Sequence, residues 1–196
     1  MERSVIIAGF GGQGILFAGR VLAEAAVDEG REVSWIPSYG PEMRGGTASC
    51  TVIVADEPIG SPIVDQASAA IVMNPPSLAR FEPLVAPGGL LVVNSSLVEA
   101  ECRRGDIDEL RVPCTALARS AGDDRLVSVV ALGALIGRLP LVRPDSVRRA
   151  IETTVGPDRP EVVAVDLAAF EAGLAAAGGR AAAGGRAAAR GRARAT

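Results

Sequence analysis

Val5-Ile6-Ile7-Ala8-Gly9-Phe10-Gly11-Gly12-Gln13-Gly14-Ile15 decides how this chain reads. Four apolar residues run straight into a cluster of glycines. A helical period then begins, with Ile15, Ala18, Leu22 and Ala25 on one face of a helix predicted over 15–29. Gly30 stands where a C-terminal cap is wanted. Strand, glycine turn and helix make a βα unit, and the bare N–H groups at the start of such a helix favour an anion, usually a phosphate. A second strand, predicted over 32–36, leads into Pro37-Ser38-Tyr39-Gly40-Pro41-Glu42-Met43-Arg44-Gly45-Gly46-Thr47. That segment holds too many turn residues for a core and is too particular for a passive connector.

Gly9, Gly11 and Gly14 fit G-x-G-x-x-G in the right context, after a strand and before a helix. A dinucleotide site also wants an acid at the end of the second strand for the ribose hydroxyls. Here that end reads Trp35-Ile36-Pro37-Ser38, and Glu32 opens the strand instead. Gly9 and Gly14 also match the outer glycines of a P-loop, but Ile15 and Leu16 replace its Lys and Ser/Thr. The spacing therefore points to a phosphate-bearing ligand other than an ordinary nicotinamide or a magnesium nucleotide. Tight packing of strand on helix, with no ligand, is the alternative.

Composition narrows the chemistry. Of 196 residues, 48% are hydrophobic but only 3% aromatic, so an aliphatic core in one domain is expected. No signal peptide and no span of about 18 apolar residues stands out, which predicts a cytoplasmic chain without membrane contact. Cys50, Cys102 and Cys114 are too scattered for a four-cysteine zinc or iron–sulfur site and read as buried thiols. The chain has no His and no Lys. It lacks the commonest general base, the commonest metal ligand and any Schiff-base amine. Every cation is Arg, suited to gripping phosphate or carboxylate and unsuited to proton transfer. Binding and positioning fit such a chain better than bond-breaking, and no catalytic or metal-ligating residue is assigned.

Further strands are predicted over 48–54, 69–73, 90–93 and 110–113, with a turn at Pro87-Gly88-Gly89. Helices are predicted over 77–85, with Ser77 as N-cap or Pro76 in the first turn, over 115–120, from Pro144, and over 160–174. Short apolar runs separated by helices describe a Rossmann-like three-layer α/β sandwich around a mostly parallel sheet. Asn74 and Asn94 close two strands with polar tips, where open sheets bind ligands; capping of turns is the alternative for each. Residues 126–139 are so apolar that a partner chain is expected to cover part of that helix. From residue 175 onward the chain becomes AAAGGR, AAAGGR, AAARGR, read as a disordered low-complexity tail after a domain over 1–174. The last 25 residues carry five Arg and no acid, but no aromatics are interleaved, so nucleic-acid binding is not expected.

Gly9-Phe-Gly-Gly-Gln-Gly14, taken with Ser38-Tyr-Gly-Pro-Glu-Met-Arg-Gly-Gly-Thr47, resembles the gamma subunit of the 2-oxoacid:ferredoxin oxidoreductases. Asp56-Glu-Pro-Ile-Gly-Ser-Pro62, Met73-Asn-Pro-Pro-Ser77 and Asn94-Ser-Ser96 extend the likeness, which covers residues 3–172 and looks like the 2-oxoglutarate branch. The resemblance implies one polypeptide of a complex that decarboxylates a 2-oxoacid on thiamine diphosphate, passes electrons through iron–sulfur clusters to ferredoxin, and forms an acyl-CoA. It places thiamine diphosphate, Mg and the clusters on partner subunits, and CoA on this chain. Taken with the glycine spacing and the polar strand ends, the candidates for CoA are Gly9, Gly11, Gly12, Gln13, Gly14, Ser38, Tyr39, Glu42, Arg44, Gly45, Gly46, Thr47, Asn74 and Asn94. Tyr39, Glu42 and Arg44 serve a subunit interface in the competing form of the same resemblance. Pyruvate, branched-chain 2-oxoacids and indolepyruvate are the other substrates it allows. A stand-alone phosphate-ligand module is the reading from a different class.

Overall fold

A computed structural model describes residues 1–38 and 47–184. Six strands form one sheet: β1 (Glu2–Phe10), β2 (Glu32–Ser38), β3 (Thr47–Ala55), β4 (Ala67–Val72), β5 (Val85–Asn94) and β6 (Asp108–Val112). Their order is β2-β3-β1-β4-β5-β6. β1, β4, β5 and β6 are parallel, as the apolar runs of the first three imply. β3 is antiparallel to both β1 and β2 and lies between them, so the sheet is mixed. The expected turn at Pro87-Gly88-Gly89 falls inside β5, where Gly88 takes φ +74° and the β4 pairing shifts register between Ala67 and Ala69.

Alternation along the strands splits the core. Val5, Ile7, Val52, Val54, Ile71 and Val92 face α1 (Ile15–Asp28), α3 (Cys114–Ala121), α4 (Val127–Arg138), α5 (Pro144–Val155) and α6 (Pro160–Gly184). Ile6, Ala8, Val72, Leu91 and Val93 face the opposite way, toward α2 (Pro75–Phe81). Asn74, rather than Ser77, caps α2: its Oδ1 accepts from the Ser77 N–H at 2.8 Å, with Pro75 and Pro76 in the first turn. α2 stops at Phe81 and a 3₁₀ turn, Glu82–Leu84, carries the chain to β5. α1 ends in a Schellman motif, since Gly30 has φ +72°, its N–H bonds Val27 O, and Arg31 N–H bonds Ala26 O. Arg149 pairs with Asp28, and Arg148 with Glu171 at 2.7 Å, so both arginines tie α5 to neighbouring helices. Cys50 and Cys114 are buried, and burial pushes their thiols up to about 11 and about 12. Cys102 is only half-buried and donates to Glu82.

The most apolar helix needs no partner chain. Every residue of α4 from Val127 to Ile136 is buried within this chain, under α1, α3, α6 and the sheet. Two bare backbones allow it: a Cβ at Gly173 would lie 1.9 Å from Val130 O, and one at Gly133 would lie 2.2 Å from Phe170 O. The helices therefore cross in direct backbone contact. The same contact carries α6 past its expected end at Leu174. Ala177 is buried, in the space that a Cβ on Gly137 would otherwise take, and the helix continues to Gly184. The first hexad is thus helical and partly packed; residues 185–196 lie outside the described residues. No helix of the described residues is long and apolar enough to cross a membrane.

Gly173→Ala is expected to destabilise the fold by about 3 kcal/mol, because a methyl group must drive two packed backbones apart. Urea unfolding measures this, and an unchanged midpoint would refute the contact. Truncation after Gly173, which removes Leu174 and buried Ala177, is expected to lower stability by about 1–3 kcal/mol. An unchanged melting temperature in the truncated chain would show that the end of α6 packs on nothing.

Candidate functional site

β1 ends at a seam. Ala8 lies beside Val72 of parallel β4, while Phe10 pairs with Thr47 of antiparallel β3. α1, which follows β1, covers one face and α2, which follows β4, covers the other, so the crevice between β1 and β4 is the topological switch point of the sheet. The glycine loop sits at its mouth.

Each residue of that loop has a different job. A Cβ at Gly9 would meet Gln13 Oε1 at 2.6 Å, Ile15 Cδ1 at 2.8 Å and Met73 Cβ at 2.9 Å, so this glycine lets strand, loop and helix close up. Gln13 clamps the turn: its N–H donates to Phe10 O at 3.2 Å, and its Oε1 accepts from Phe10 N–H at 2.7 Å. Gly14 is the N-cap of α1 at φ +72°, and its carbonyl accepts from Ser128 Oγ at 3.0 Å. Gly11 and Gly12 are exposed. Gly12 has φ +91°, and a Cβ there would meet nothing within 4 Å. The packing-only reading accounts for Gly9, Gln13 and Gly14, but not for Gly12. No side chain caps α1, and no acid stands in its first turn.

The other expected residues separate. Ser38 ends β2, exposed and two strands from the loop, because β3 intervenes. That spacing, about 10 Å, removes any use for a ribose-binding acid at the end of β2. Thr47 enters β3 opposite Phe10, beside the loop. Tyr39, Glu42, Arg44, Gly45 and Gly46 lie outside the described residues. Asn94 is fully engaged: Nδ2 donates to Thr115 Oγ1 at 3.1 Å and Oδ1 accepts from Ser96 N–H at 3.2 Å. These bonds hold β5 against the following turn and the start of α3. Asn74 spends its Oδ1 on the α2 cap, but its buried Nδ2 has no partner among the described residues. A buried donor left over at the switch point is costly unless something accepts from it.

Sequence reasoning passed over a second set of residues. Beside Gly12 and Gly14 opens a cavity of about 410 Å³, floored by Phe17, Val129 and Val155. Ser128, Thr154 and Asp166 line it, and Asp123, Arg125 and Arg159 stand around it. Asp166 is 3% exposed and has no hydrogen bond or ion pair among the described residues. Burial pushes its carboxyl up to about 6, and the neighbouring Asp123 carboxylate adds repulsion in the same direction. Its signal in the sequence is an acid inside the otherwise apolar run Val162-Val163-Ala164-Val165-Asp166-Leu167-Ala168-Ala169-Phe170.

Known proteins share this fold. A sequence profile described as pyruvate ferredoxin/flavodoxin oxidoreductase matches residues 4–176. Ketoisovalerate oxidoreductase subunit VorA of Methanothermobacter thermautotrophicus is 40% identical over 173 residues, which is 88% of this chain and 36% of that one. The chain therefore spans about a third of that relative's length. 2-oxoglutarate synthase subunit KorC of Archaeoglobus fulgidus is 37% identical over 77% of this chain and 78% of that one. The gamma subunit of a keto/oxoacid ferredoxin oxidoreductase from Geobacter sulfurreducens has a similar structure, with a TM-score of 0.78 at 27% identity over 90% of this chain and 99% of that one. A 2-oxoglutarate:ferredoxin oxidoreductase from Magnetococcus marinus, solved with 2-oxoglutarate, coenzyme A and succinyl-CoA bound, shares the fold. Its TM-score is 0.83 at 24% identity, over 91% of this chain and 31% of that one. With the profile spanning both the glycine loop and the helices that pack behind it, the chain belongs to the pyruvate ferredoxin/flavodoxin oxidoreductase family.

Proposed function

We propose that this chain is the gamma-type component of a 2-oxoacid:ferredoxin oxidoreductase and presents CoA to it. Gly12 carries the reading. Its positive φ and the open space around it leave the N-terminus of α1 approachable by a phosphate, whereas Gly9 and Gly14 are explained by packing. Asn74 Nδ2, buried and unpartnered at the same switch point, would supply a further donor. In the assembled enzyme the 2-oxoacid loses CO2, two electrons pass to ferredoxin, and the acyl group joins the CoA sulfur. Thiamine diphosphate and the iron–sulfur clusters belong to partner chains in this proposal. The part played by this chain is to hold the phosphate end of CoA, with Arg44 as a guanidinium clamp from the segment before β3.

The substrate follows the sequence from Ser38 to Thr47, whose likeness to the 2-oxoglutarate branch favours 2-oxoglutarate. A branched-chain 2-oxoacid is the second reading, favoured by the 40% identity to the VorA subunit.

The test is a CoA titration of the complex purified from the native cell, with 2-oxoglutarate and 2-oxoisovalerate compared as substrates. Gly12→Asn, which tolerates a positive φ but fills the open space, is expected to weaken CoA at least tenfold with an unchanged far-ultraviolet spectrum. Arg44→Ala is expected to cost about 1.5–3 kcal/mol of CoA binding, while decarboxylation before CoA arrives survives. Subunits that separate on gel filtration, with both half-reactions falling together, would assign Arg44 to an interface. Unaltered CoA affinity in a folded Gly12→Asn complex would remove the loop from the site.

A further inference from the structure

Asp166 is an acid on the wall of a cavity whose opening favours anions. Gly12, Gly14 and the start of α1 stand at that opening, and α4 begins beside them. Neither helix has a side-chain cap or an acid in its first turn. Arg159 adds an exposed guanidinium with no ion pair among the described residues. Arg125 stands there too, held by Asp123 at 2.6 Å. Asp166 itself is buried, with no hydrogen bond or ion pair among the described residues. The elements packed around it bring little charge. α1 presents Phe17 to the cavity, α4 presents Ser128 and Val129, and α5 presents Thr154 and Val155. Glu152 of α5 lines the neighbouring groove, and Arg119 of α3 reaches Asp124 instead, at 3.9 Å. The Asp123 carboxylate faces Asp166 and repels it.

A phosphorylated ligand at this opening brings its negative charge within about a Debye length, ~8–10 Å, of a buried carboxyl that no cation holds. One response needs no rearrangement of the chain: the carboxyl is protonated. We infer that Asp166 takes a proton from solvent when the phosphorylated ligand binds, so that the chain holds this ligand more tightly as pH falls. The inference rests on the CoA reading and adds regulation to it. An ordinary carboxyl would be fully ionised at neutral pH and too far from protonation to respond. Burial and the repulsion of Asp123 already hold the Asp166 proton up to about 6, so the ligand's charge needs to raise it by only about one unit more. The empty chain carries the same signature. Unfolded, it releases this proton in the ordinary carboxylate range, at about 3.9. Stability linked to the retained proton is therefore present below that range and lost as pH rises through about 6.

The experiment is calorimetric titration of the full chain with CoA at pH 6, 7 and 8, in buffers of different ionisation enthalpy, for wild type and Asp166→Asn. The dependence of heat on buffer counts the protons taken up. CoA's own phosphate titrates alike in both proteins, so the difference between them isolates Asp166. Wild type is expected to take up about half a proton more than the variant at pH 7, and its affinity relative to the variant to fall about five- to tenfold from pH 6 to pH 8. Without ligand, the melting temperature of wild type relative to Asp166→Asn is expected to fall as pH rises from 5 to 7. Equal proton uptake in the two proteins, or parallel melting profiles, would overturn the inference. CoA binding that Gly12→Asn still weakens would then leave the phosphate site standing. No binding of CoA by the folded wild-type chain would overturn the phosphate site and the linkage together. Asp123→Asn tests the linkage with Asp166 in place, and serves if Asp166→Asn fails to fold. It removes the repulsion and frees Arg125, so the pH at which proton uptake is greatest is expected to move down by about half a unit or more. An unmoved maximum would overturn the inference.

Discussion

β1 bonds two kinds of neighbour at once. Val5–Ala8 run parallel to Ala69–Val72 on one edge, and Glu2–Phe10 run antiparallel to Thr47–Ala55 on the other. Helices cover both faces of its middle, so Val5–Ala8 is apolar on both: Val5 and Ile7 enter one core, Ile6 and Ala8 the other. Everything near the site follows from that position. The loop after β1 must open at the seam, α1 must leave over one face because α2 takes the other, and the chain must return at Thr47 beside the loop it left.

The local grammar of this fold is plain in the sequence, but its long-range pairing is not. Strand, glycine turn and helix are legible because hydrophobic period and glycine placement act within a few residues: Gly30 closes α1 by the cap its position implies. The direction of β3 is set by where it pairs: Thr47-Ala48-Ser49-Cys50-Thr51-Val52 alternates as an antiparallel strand can, but Val52–Ala55 run apolar without a break as a buried parallel strand does, so the pattern alone does not decide. The cover over α4 was missed for a related reason. Gly133 and Gly173 are 40 residues apart, and only in three dimensions do they become one close crossing. Ala175–Ala177 read as low complexity, yet alanine is the best helix former and needs only a groove to lie in.

The candidate site divides along the same line. The glycine loop was legible, but the division of labour within it required coordinates: Gln13 is a clamp and Gly9 a packing residue, while a Cβ on Gly12 would meet nothing. Asn74 and Asn94 look alike at their strand ends, and their hydrogen bonds distinguish them. Asp166 carries no motif. It marks itself only by being an acid among valines and alanines, a signal that acquires meaning once α5, α6 and the loop are seen to enclose one space.

The backbone contact between α4 and α6 also makes a linkage. At Gly133 and Gly173 no side chain is present to bend, so the two backbones bear directly on each other. At the start of α4, Ser128 holds the carbonyl of Gly14. A displacement of α6 would thus bear on α4 directly and strain the bond from Ser128 to the glycine loop, so the loop's position depends on a helix crossing far from it in sequence.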